Sequence, residues 1–184
     1  MNRLASPAQL RASFVRWALF VVPAVLLLGF VSGRLGGDAA SDPWFIALDK
    51  PAIFPPPAAF GIVWPILYTL MGLAAAMVCA AWGSRFRLPA ILAFVVQLLI
   101  NLAWSPMFFG EHEMTLALYI ILVLDVALTV TIVLFWQVRR GAALLLLPYL
   151  AWILFATVLN YEFLRMNPAA DGAEGSYAVQ RIEL

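Results

Sequence analysis

The sequence predicts an all-α membrane protein: a single bundle of five transmembrane helices with a long capping loop between the first and second. Three observations predict it. Hydrophobic residues make up 65% of the 184 and charged residues only 11%, with a mean hydropathy of +0.96, whereas a soluble domain carries about 45–50% and about 25%. Five stretches are long and apolar enough to cross roughly 30 Å of hydrocarbon at about 1.5 Å per residue. The connections after the second, third and fourth stretches are short, which makes those neighbours antiparallel and leaves no room for a second domain. The same composition excludes disorder, and the single Cys79 excludes an internal disulfide scaffold. Nucleic acid is not an expected partner, because the net charge is +1 and no basic block occurs.

The first stretch, about Trp17 to Ser32, follows a lead at 1–16 that carries Arg3, Arg11 and Arg16. A signal peptide begins in the same way, but the lead is long and Asp38-Ala39-Ala40 makes a poor cleavage site, so the stretch is read as a span. The connection at 34–59 is too long for an ordinary loop. Pro43, Pro51 and the run Pro55-Pro56-Pro57 fix φ there, and Trp44 and Phe45 can bury area, so it is read as a folded cap. The second span runs from Phe60 to Trp82, the third from Leu88 to Phe109, the fourth from Met114 to Trp136 and the fifth from Ala142 to Phe163. Together they set a transmembrane domain at 17–166, followed by a small, polar tail at 167–184 that is expected to be flexible.

An odd number of spans puts the termini on opposite sides. Arg3, Arg11, Arg16, Arg85, Arg87, Arg139 and Arg140 share one face; Arg34, Lys50, Arg165 and Arg181 share the other. The richer face is expected to be cytoplasmic, with the amino terminus on it. The cap and the Glu111-His112-Glu113 turn then lie outside; which membrane holds the chain is not written in the residues.

Much chemistry is excluded by what is missing. The only lysine, Lys50, is in the cap, so no intramembrane Schiff base to retinal can form. One histidine, His112, and one cysteine are too few for a protein-built zinc or haem-iron site, and no resident metal or cofactor is expected. No Walker loop, Gly-x-Ser-x-Gly or His-Glu-x-x-His occurs.

What is present is tryptophan. Trp17, Trp82 and Trp136 fall at span ends, where an aromatic belt at the headgroups accounts for them. Trp64, Trp104 and Trp152 fall inside spans. Trp64 and Tyr68 are four apart on one face, as are Gln97 and Asn101, with Trp104 three further on; Pro148, Trp152, Ala156 and Asn160 form a stripe of the same spacing. Counted from the cap-side ends, Trp64 and Trp104 lie roughly 6–8 Å deep and Tyr68 and Asn101 roughly 12 Å deep. Polar groups at such depth face the interior. Two readings stay open: a roofed aromatic cavity, or amides that glue helices together at about 0.6 kcal/mol each while the aromatics fill space.

These residues resemble the family of tryptophan-rich sensory proteins and mitochondrial translocator proteins, TspO/MBR. The cap segment Trp44-Phe45-x-x-Leu48-x-Lys50-Pro51 with Pro55-Pro56 is similar to the family's Trp-x-x-Leu-x-Lys-Pro loop and its proline pair. The likeness continues through Trp64-Pro65-Ile66-Leu67-Tyr68, Gln97 to Asn101, Trp104-Ser105-Pro106, Pro148-Tyr149-Leu150-Ala151-Trp152 and Ala156 to Tyr161, in order, over roughly Trp44 to Asn167. Ala52 and Ile53 stand where the family commonly has tryptophans, so part of the aromatic lid is expected to be missing.

The resemblance implies a five-helix fold, often a homodimer, that binds porphyrins and in some members sterol or benzodiazepine-type ligands. It carries three roles: a tetrapyrrole-binding sensory or regulatory protein, a small transporter of porphyrins or other amphiphiles, or an enzyme that degrades porphyrin with light. The first is the leading reading. A porphyrin pocket is accordingly assigned to Trp44, Trp64, Tyr68, Gln97, Asn101, Trp104, Trp152 and Ala156, with Lys50 and Arg34 as cations near the ring's propionates. Lacking a protein axial ligand, free-base porphyrin suits it better than haem. Leu159, Tyr161 and Arg165 satisfy the loose sterol pattern, which an interfacial tyrosine with a snorkelling arginine also produces. Asp125, alone midway along the fourth span, is read as a neutral acid bonded to a neighbouring helix rather than a transport site.

Overall fold

Local signals set where each helix begins and ends. The computed structural model describes residues 6–172. Helix α1 (Pro7–Leu35) starts ten residues before the apolar stretch because Ser6 and Gln9 form a reciprocal capping box and Pro7 takes the first helical position. The cap then contains a short helix α2 (Pro43–Ala47), started by Asp42, whose side chain accepts from Trp44 N. Helix α3 (Pro57–Cys79) ends before Trp82, which therefore sits in the following turn.

Helix α4 (Arg87–Ser105) passes into one π-helical turn, Pro106–Gly110. Pro106 has no N–H, so the carbonyl of Leu102 loses its usual partner four residues on. That carbonyl instead accepts from Ser32 Oγ of α1 at 2.6 Å. Helix α5 (Met114–Val138) follows. The fifth span is broken at Leu146 into α6 (Arg140–Leu145) and α7 (Leu147–Met166), with Pro148 in the first turn of α7. Among the described residues five segments are long and apolar enough to cross a membrane: Ala8–Leu35, Pro57–Cys79, Arg87–Gly110, Met114–Val138 and Arg140–Met166. Large apolar side chains such as Leu19, Phe20, Phe30, Ile62 and Val126 point outward, as a lipid solvent requires.

Helix α1 packs on α3, α4 on α5, and α5 on α7, while α6 reaches α3. The α1–α3 seam is close because it uses glycine: a Cβ on Gly72 would come within 2.8 Å of the Val22 backbone, and one on Gly29 would overlap the Tyr68 ring. One core cluster fills the bundle from Phe135 and Ala142 up to Leu67 and Ile153. A second, built on Trp44, Phe45, Phe108 and Phe163, lies under the cap.

The tail corrects an expectation in part. Residues 167–172 are docked, not loose: Ala170 O accepts from Trp44 Nε1 at 2.9 Å, the Asp171 carboxylate accepts from Thr115, and Gly172 N donates to His112 O. A small polar segment binds through two main-chain groups and one carboxylate, which composition does not register. The rest of the expected flexible tail, Arg181 included, and Arg3 at the other end lie outside the described residues.

Candidate functional site: a roofed aromatic cavity

Between the two core clusters lies a cavity of about 460 Å³. Trp64 and Tyr68 enter it from one face of α3 with their rings stacked at 5.3 Å, as the fourfold spacing predicts. Asn101 and Trp104 come from α4, and Trp152, Ala156 and Leu159 from α7. Tyr68 donates to Asn101 Oδ1 at 2.9 Å across the floor, which holds the phenol and the amide in one layer. Trp104 Nε1 donates to Asn160 Oδ1 at 3.1 Å, and Asn160 Nδ2 donates to Met114 O. Both readings of the buried amides thus hold at once: Asn101 and Asn160 each join helices and each line the cavity.

Two assigned pocket residues lie elsewhere. Gln97 is one turn below Asn101, fully buried beneath the floor, where its oxygen accepts from Tyr149 OH at 3.3 Å. Sequence spacing gave its face but not the level at which the cavity stops. Trp44 lies above the wall, stacked on His112 at 4.3 Å and set edge-on to Phe108 at 5.9 Å, and it does not line the cavity. The cations also differ from expectation. Lys50 turns back into the cap, donating to Phe45 O and Leu48 O with its ammonium 4.0 Å from the Phe45 ring. Burial lowers its pKa from the ordinary lysine value, against the raising effect of Asp49 and Asp42. Arg34 is exposed beyond the wall. Among the described lining residues the one charged group is Asp38, at the cap end.

The lid corrects a second expectation. Ala52 and Ile53 turn outward, but the tight turn closed by Phe54 N to Pro51 O at 2.9 Å directs Phe54 into the cavity. Phe54 meets Phe45, Phe60 and Phe163 at 5.6–6.0 Å. Phe108 and Phe109, presented together by the π turn, complete the roof with Trp104 at 5.2 and 5.9 Å. Tryptophan spacing does not point to these phenylalanines; the proline before each of the two turns is their signal in the sequence. Gly29, Ser32 and Gly33 of α1 also line the wall.

The sterol pattern does not form one surface. Leu159 faces the cavity, whereas Tyr161 and Arg165 are exposed, the latter paired with Glu162 at 2.6 Å. Asp125 accepts from Thr157 Oγ1 of α7 at 2.9 Å and lies away from the cavity, in keeping with an interhelical bond. Among the described residues no group of three or more His, Cys, Asp or Glu is placed to hold a metal.

A sequence model of the TspO/MBR family matches residues 20–166. The chain is 37% identical over 145 residues to a protein of Chlorobaculum tepidum named tryptophan-rich protein TspO, covering 78% of this chain and 90% of that one. It is 38% identical over 148 residues to the protein of that name from Archaeoglobus fulgidus, with 78% and 92% covered. Against the human translocator protein it is 40% identical over 127 residues, with 67% and 75% covered.

Proposed function

Because the chain belongs to the TspO/MBR family, we propose that this multi-pass membrane protein binds a tetrapyrrole in its roofed cavity and acts as a porphyrin-responsive sensory or regulatory protein. The observation that carries the reading is the cavity itself: about 460 Å³, walled by Trp64, Trp104 and Trp152 and roofed by phenylalanines. That volume is within the roughly 300–1,000 Å³ of small-molecule sites. A flat macrocycle gains dispersion and quadrupole contacts from aromatic faces on several sides, which a flexible acyl chain does not.

The ring's carboxylates belong at the cap end, toward water, since the floor is apolar apart from Tyr68 and Asn101. Asp38 there repels carboxylates, so a porphyrin with two suits the site better than one with many. Free-base porphyrin remains the better candidate than haem, because the described lining residues include no histidine, cysteine or methionine to reach an iron.

A titration of purified protein with a dicarboxylic porphyrin, followed by tryptophan fluorescence, tests this. Quenching should saturate, and replacing the belt residues Trp17 or Trp136 should leave the midpoint in place. Unsaturable quenching, or equal losses from belt and cavity variants, would mean partition into detergent and would remove the pocket reading. An absorption spectrum that bleaches on illumination only with intact cavity tryptophans would turn the reading from sensor to enzyme.

A further inference from the structure

Besides the bond from Trp44 Nε1 to Ala170 O, the cap is fastened at two places of different chemistry. Just past its middle Asp49 N donates to Asn167 Oδ1 at 2.8 Å and Asn167 Nδ2 donates to Asp49 O at 3.0 Å, a clasp that carries no ionisable atom. At its amino end Asp42 is divided. One carboxylate oxygen caps α2 through Trp44 N at 3.0 Å. The other is buried without a hydrogen bond among the described residues, and it lies 3.3 Å from Nε2 of His112. His112 is the only histidine in the chain. It holds φ at +58°, a left-handed conformation that histidine adopts more readily than most side chains, and its ring is stacked on Trp44.

We propose that Asp42 and His112 form a proton-operated latch, which holds the amino-terminal half of the cap against the turn before α5 when His112 is charged and frees it when His112 is neutral. Histidine is the side chain whose charge ordinarily changes between about pH 5 and 8. With a neutral imidazole, the inner Asp42 oxygen is a buried negative charge lacking a full partner, a costly state. A proton on the ring supplies the opposite charge at 3.3 Å and turns the Trp44 stack into a cation–π contact. Among the described residues the other charged groups near the pair are Asp38 and Lys50 of the cap, Glu111 and Glu113 of the histidine's own turn, and Asp171 after α7. Lys50 is the one cation among them, so the surroundings favour an added positive charge. Closure therefore strengthens as pH falls through the histidine range.

The latch bears on the cavity because Trp44 is packed on Phe108 and is followed by Phe45, both of which line the roof. Control of ligand passage rests on the binding reading above; the latch itself does not. The test accordingly uses ligand-free, full-length protein. Hydrogen exchange of the cap is measured at about pH 6 and about pH 8 and corrected for intrinsic rates. Amides at 39–46 should be roughly threefold to tenfold better protected at the lower pH, as expected for a partly exposed ion pair, with amides at 48–50 unchanged. Asp42→Asn keeps the helix cap, since asparagine caps as well as aspartate, and removes only the charge. It should bring the ratio to about one, and His112→Gln should do the same. A wild-type ratio of one, or a pH response that survives Asp42→Asn, overturns the latch. Should the ratio appear in a protein that binds no porphyrin, the latch stands and the ligand reading falls.

Discussion

Individual side chains at the cavity carry unequal parts of its energy, and the geometry says which. Trp152 offers a ring face whose edge meets Phe60 at 5.8 Å, and its indole lines the wall. Trp152→Ala should weaken porphyrin binding by roughly 1–3 kcal/mol, the range for losing a large buried side chain, read as a shift in the fluorescence midpoint. Trp44→Ala should act differently. It removes a roof support outside the cavity, so stability and cap exchange should suffer more than equilibrium affinity. Gly29 is sensitive for a steric reason: a Cβ there would overlap the Tyr68 ring, and that ring is held by Trp64 on one side and Asn101 on the other. Gly29→Ala should therefore lower both thermal stability and affinity, although it adds one methyl group. Asp125→Asn should change neither, because an amide can still accept from Thr157; a loss of ligand uptake into vesicles in that variant alone would point to transport instead.

At the level of whole elements, prolines mark where the helices depart from regularity, and at Pro106 a neighbouring helix repairs the departure. Pro106 frees the Leu102 carbonyl, Ser32 of α1 fills it, and the π turn that follows places two phenylalanines in the roof. Ser32→Ala would take the hydroxyl partner from a partly buried carbonyl. The expected cost is about 1–3 kcal/mol if nothing replaces the hydroxyl, seen as a lower unfolding temperature in detergent and faster exchange in the outer half of α1. Ser32→Thr should restore most of it. The apolar stretches in the sequence located every span, yet the ends of α1 and α3 differ from them. A capping box and a first-turn proline define a helix by hydrogen bonds, while hydropathy locates only the part that lipid must cover.

For the whole molecule, five spans require the amino terminus and the cap to lie on opposite sides of the membrane. Single cysteines at Ser6 and Ala52, in a Cys79→Ala background, should react with an impermeant maleimide from opposite sides; labelling from one side would break the five-span count. Composition, apolar length and connection length were enough for the membrane class, the five spans and the antiparallel bundle, because lipid imposes one strong condition on every residue of a span. The faces of Trp64 with Tyr68 and of Asn101 with Trp104 were also legible, since helical periodicity fixes which residues share a side. Only the tertiary structure decided that Gln97 lies below the floor, that Trp44 and Lys50 serve the cap, and that Phe54 supplies the aromatic that Ala52 and Ile53 lack. It alone brought His112 to Asp42, seventy residues away in the chain. The reason is that periodicity acts along one helix, whereas a cavity's floor, its roof and the partners of a loop are set by distances between elements, which no local pattern encodes.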